Sequence, residues 1–139
     1  MLMSEVLNLL MRWLHITSVA TLIGGSLYAW LVWTRSANAL PSDVRESLGE
    51  STGLYFRPLV ISAITALVIS GLYNLLTGPV RPKLYHILLG IKLLLALHVF
   101  TVAILATRKS NPRRRRMMAG TAISGMIIVL ISAYLRRIL

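Results

Sequence analysis

Four apolar stretches, at about 13–33, 58–76, 84–107 and 117–135, alternate with short segments that hold nearly all of the charge. A hydrocarbon core of about 30 Å takes about 20 helical residues to cross, and each stretch is of that order. Barrel strands would be about 10 residues long and would alternate in polarity, which these runs do not. The pattern therefore predicts an all-α protein, a bundle of four transmembrane helices forming one domain over 1–139. No length remains for a separate water-soluble domain.

The ends of the spans are marked chemically. The first follows Arg12 and is closed by Arg35, with Trp13, Trp30 and Trp33 where interfacial aromatic belts sit. It has no basic leader and no small-residue cleavage site, so it reads as a retained helix rather than a signal peptide. The second begins after Pro58 and stops at Thr77, Gly78 and Pro79. In the long connection between spans one and two, Ser42 is placed to cap a short surface helix ending near Gly49. The tight connection 79–83 makes spans two and three antiparallel neighbours.

Composition agrees with this picture. Apolar residues are 56% of the 139-residue chain, against roughly 45–50% in soluble proteins, and the mean hydropathy is +0.73. Fifteen Lys and Arg against four Asp and Glu give a net charge of +11. In a soluble chain such a balance points to nucleic acid. Here the run Arg113, Arg114, Arg115 and Arg116 lies between two apolar spans with almost no aromatic interleaving, so the partner it fits is a bilayer rich in anionic lipid. Other membrane proteins, or a second copy in a homodimer, are further partners open to such a chain.

The same residues set an orientation. The two connections holding Arg35, Arg45, Arg57, Arg108, Lys109 and the arginine run carry nine basic residues. The opposite side carries five: Arg12, Arg81, Lys83, Arg136 and Arg137. Basic loops stay in the cytoplasm, so the expectation is a multi-pass inner-membrane protein with both termini outside.

Candidate chemistry is sparse. With no cysteine, thiolate metal sites and cysteine nucleophiles are excluded. No span holds a carboxylate, and no Ser/His/Asp set or phosphate loop is present, so no catalytic residue is assigned. An ionisable group inside the membrane needs a reason, because a central lysine costs about 2.5–3.5 kcal/mol on insertion scales. Only His15, His86, Lys92 and His98 qualify. On one helix, His86, Lys92 and His98 point about 120° apart, so they cannot all serve one site. Lys92 either snorkels towards the headgroups or faces a carboxylate or propionate. Facing histidines are how helix bundles hold b-type haem. His15 with His98 is the first pairing and His15 with His86 the second. Copper is the alternative, since Met11 stands four residues before His15, a thioether beside an imidazole. Otherwise each histidine serves only to bond a neighbouring helix. The small residues Gly24, Gly25, Ser26, Ser62, Thr65, Ser70, Gly71, Gly120, Thr121, Ser124 and Gly125 read as helix-packing positions.

Three stretches resemble the copper-resistance D (CopD) family of membrane domains. They are Leu14 and His15 leading to Gly24 and Gly25; Ser70, Gly71, Leu72, Tyr73 and Asn74; and the span from Tyr85 to Arg108 around Gly90, Ile91, Lys92, Leu93 and Leu94. They lie in spans one to three, about two-thirds of the chain. The resemblance implies a four-helix unit tied to copper handling or to haem. HemJ-type protoporphyrinogen oxidases look similar at His15 and Lys92, although here His98 follows the lysine and no histidine stands two residues before it. The expected function is binding of haem b for electron transfer or haem handling. The alternatives are a non-catalytic subunit of a larger respiratory or photosynthetic membrane complex, and copper transport.

Overall fold

The computed structural model describes residues 2–107 and 114–137, with Arg114 by its backbone alone; Arg108, Lys109 and Arg113 of the basic loop lie outside the described residues. The elements are α1 (Leu2–Tyr28), a π-helical turn (Ala29–Trp33), α2 (Thr34–Ala37), α3 (Ser42–Thr77), α4 (Lys83–Ala106) and α5 (Arg114–Arg137). Four stretches are long and apolar enough to cross a membrane: Leu2–Ala37, Ser42–Thr77, Lys83–Ala106 and Arg115–Arg137. The protein is an all-α, four-helix membrane bundle, with no strand among the described residues.

Two of the helices outrun their apolar stretches. α1 begins at Leu2, well before Arg12, and passes through the π turn into α2 without a break. The separate surface helix expected to end near Gly49 does not exist: α3 is continuous from Ser42 through Gly49 and across Pro58 to Thr77. Ser42 is its first residue, and the cap position falls on Pro41, which makes no side-chain capping bond. The physical reason lies in packing. Gly49 and Gly53 are buried, and burial of that face carries the helix past residues of poor intrinsic propensity. Pro58 removes one intrahelical bond without ending the helix.

α1 packs on α3, α4 on α5, and α1 on α5, while α3 and α4 touch only sparingly in spite of their short connection. The tightly packed layer is a cluster of Leu22, Val60, Ala63, Val99 and Ala103, with Phe56, Ile64, Leu67, Phe100, Ile104 and Ile128 around it. Small residues permit the close approach. A Cβ on Gly25 would stand 2.8 Å from Phe56 Cζ, and one on Gly125 would stand 2.7 Å from Ile23 Cγ1. By contrast, Gly24, Gly71, Gly90 and Gly120 meet nothing within 4 Å, so those glycines are not close-approach points. Most other large apolar side chains are exposed, as lipid-facing positions must be.

Candidate functional site

Above the dry layer, towards the ends of α3 and α4 that are joined by their short connection, the bundle holds a polar layer. His15 on α1 reaches Ser70 on α3, Nδ1 to Oγ, at 2.8 Å. Ser70 is fully buried, and its hydroxyl donates to the Leu67 carbonyl at 3.3 Å. A hydroxyl has a single proton. In the Nδ1–H tautomer of His15 the Ser70 oxygen accepts from the ring, its own proton goes to Leu67, and the lone pair of Nε2 is left available.

Lys92 on α4 completes the layer, half-buried and within electrostatic reach of the His15 imidazole. It shares its helix face with buried Val99, seven positions on, because seven residues are close to two full turns. The three residues come from three helices at one level. Ser70 is seven residues from the end of α3, about 10 Å, and Lys92 is nine from the start of α4, about 14 Å. His15 is thus not at a helix end: α1 runs a further thirteen residues, to Leu2.

No acidic residue shares this level. The four are Glu5, Asp43, Glu46 and Glu50. Glu5 stands ten residues before His15, about 15 Å along α1, and the other three lie at the opposite end of α3. Lys92 therefore has no carboxylate from the bundle at its own depth. A second α1–α3 bond lies nearer the helix ends, where the Tyr73 hydroxyl donates to Asn8 Oδ1 at 2.6 Å.

His86 and His98 are both exposed on α4. The 120° divergence expected on this helix is resolved with Lys92 turned inwards and the two histidines outwards. The structure thus joins His15 to Ser70 and Lys92, and encloses neither His98 nor His86 with it. His86 makes an edge contact with the adjacent Tyr85 ring, centroids 5.9 Å apart, and Arg81 lies over that ring at 5.3 Å. Met11 and His15 are both half-buried on α1. No group of three or more His, Cys, Asp or Glu is gathered for a metal ion among the described residues.

Ser70 and the Asn8–Tyr73 bond were not visible as site features in the sequence, where Ser70 read as a packing position. The available signal was a hydroxyl three residues before a tyrosine at the end of an apolar span, facing a helix whose only interior ionisable residue is a histidine. Compared with models of known families, with characterised proteins and with solved structures, the chain shows no match.

Proposed function

We propose that this chain is a CopD-like, multi-pass inner-membrane protein that binds an anionic tetrapyrrole, haem b, in the outer half of its bundle, with both termini outside and the arginine-rich loops in the cytoplasm. The observation that carries the reading is the bond from His15 to buried Ser70 beside Lys92. A histidine that ligates a metal characteristically donates its other ring N–H to a neighbour, which holds the tautomer and orients the ring. Ser70 is such a neighbour. Haem carries two propionates, and an ammonium with no carboxylate at its depth suits one of them.

The donor set offers one imidazole to a haem iron. His15 would supply it through Nε2, Ser70 would hold the ring, and Lys92 would pair with a carboxylate of the ligand. Haem when bound supplies one-electron redox chemistry. With His86 and His98 exposed, the arrangement favours haem handling through a single ligand over the paired-histidine electron carrier that His15 with His98 would make.

The test is a haem titration of the purified protein in detergent, followed by absorption. Saturable growth of a shifted Soret band at one haem per chain is expected, lost in His15→Ala and kept in His86→Ala and His98→Ala. An unshifted spectrum from the wild-type chain would sink the proposal.

A further inference from the structure

The opposite end of the bundle, where α4 ends and α5 begins, encloses a cavity of about 220 Å³ open on one side. Gly25, Ala29 and Trp33 line it from the first helix, Gly53 and Phe56 from α3, and Met118 from α5. The space is made by backbone features. The π turn Ala29–Trp33 widens the first helix at this place, and π turns of this kind often mark functional sites. Facing it, Gly49 and Gly53 are one helical turn apart on α3, and both are buried. The surface offered is almost wholly hydrocarbon. Thr34, one of the polar lining residues, already donates its hydroxyl to the Trp30 carbonyl. Water has few partners in such a space.

Charged residues stand one turn from the lining on two helices. Arg45 precedes Gly49 by four residues, and Arg115 precedes Met118 by three, so each lies on the lining face of its helix, one turn further towards the end. Glu46 and Glu50 share that stretch of α3 with Arg45, so the positive excess at this end comes from Arg35, Arg45, Arg57, Arg115 and Arg116 together against Asp43, Glu46 and Glu50. An apolar slot at an end of the bundle where guanidinium groups outnumber carboxylates is complementary to an amphiphile with one inserted hydrocarbon tail and an anionic head.

We infer that this cavity is a specific site for one acyl chain of an anionic phospholipid drawn from the leaflet at this end, its phosphate held by Arg45 and Arg115. The volume lies below that of a drug-sized ligand site, about 300–1,000 Å³, and suits part of a single chain rather than a whole molecule. The site is separated from the His15 layer by the packed cluster of Leu22, Val60 and Val99, so lipid and haem binding can fail independently.

Native mass spectrometry of the detergent-purified full chain, given equal amounts of phosphatidylglycerol and phosphatidylcholine of the same acyl composition, reads the site directly. The wild-type chain should retain one phosphatidylglycerol in preference to phosphatidylcholine by at least about tenfold. Ala29→Phe, which fills the slot, should abolish retention of that one lipid; Thr52→Leu serves in its place if helicity or thermal unfolding shows Ala29→Phe misfolded. Arg45→Gln with Arg115→Gln should remove the preference by about fivefold per arginine, while Leu130→Phe, on the exposed surface of α5, should change nothing. Equal retention of the two lipids by the wild-type chain, or full retention by a folded filling variant, overturns the inference.

Discussion

The Nδ1 atom of His15 and the Oγ atom of Ser70 lie 2.8 Å apart although 55 positions separate the two residues in the chain. This bond ties α1 to α3 at the level of Lys92, and orients the one histidine that the bundle partly encloses.

Ser70→Ala removes the hydrogen-bond partner of Nδ1 while leaving the imidazole in place. If His15 ligates haem, its affinity should fall by about 10–100-fold, the usual effect of deleting an orienting neighbour. A Soret titration of Ser70→Ala beside His15→Ala checks this, and equal affinity in Ser70→Ala and the wild type would show that the serine has no part in ligation.

Lys92→Met keeps an unbranched side chain and removes the charge. Haem binding should weaken while binding of a tetrapyrrole diester, which has no free carboxylate, is little changed. Comparing the two ligands on both proteins isolates the carboxylate contact; a parallel loss for both would assign Lys92 to packing.

Gly24 and Gly25 are adjacent in sequence and opposite in consequence. Gly25→Ala places a methyl group 2.8 Å from the Phe56 ring and should cost about 1–3 kcal/mol of overpacking. Gly24→Ala meets nothing within 4 Å and should stabilise by about 0.5–1 kcal/mol through helix propensity. Thermal unfolding in detergent should order the three proteins Gly24→Ala, wild type, Gly25→Ala, from most to least stable.

Tyr73→Phe deletes the hydroxyl that bonds Asn8. The loss should be about 1 kcal/mol, and Asn8→Ala combined with it should add little, because both changes remove the same bond. A double-mutant cycle by thermal unfolding gives the coupling directly, and full additivity would mean that the pair does not form in the protein.

A reporter placed after Leu139 should be active in the periplasm, and replacing Arg113, Arg114, Arg115 and Arg116 by Gln should erode that orientation. Cytoplasmic activity of the wild-type fusion would reverse the assigned topology.

The four spans were legible because a membrane crossing depends on local hydrophobic length, which any window of the chain displays. The outer limits of the helices were less so: α3 runs unbroken through Gly49 and Pro58, since packing of its buried glycine face overrides local breaker signals, and α1 reaches Leu2 with residues 2–10 exposed. The site lay further still from view. The 100° turn per residue established that His86, Lys92 and His98 diverge on α4, yet it left open which of them faces the bundle. That choice belongs to the rotation of α4 about its own axis, set where Val99 and Ala103 pack into the layer with Leu22, Val60 and Ala63. Only that packing turns Lys92 inwards, leaves both α4 histidines outside, and brings Ser70 to His15, because the meeting of side chains on different helices depends on register and rotation, which no single span encodes.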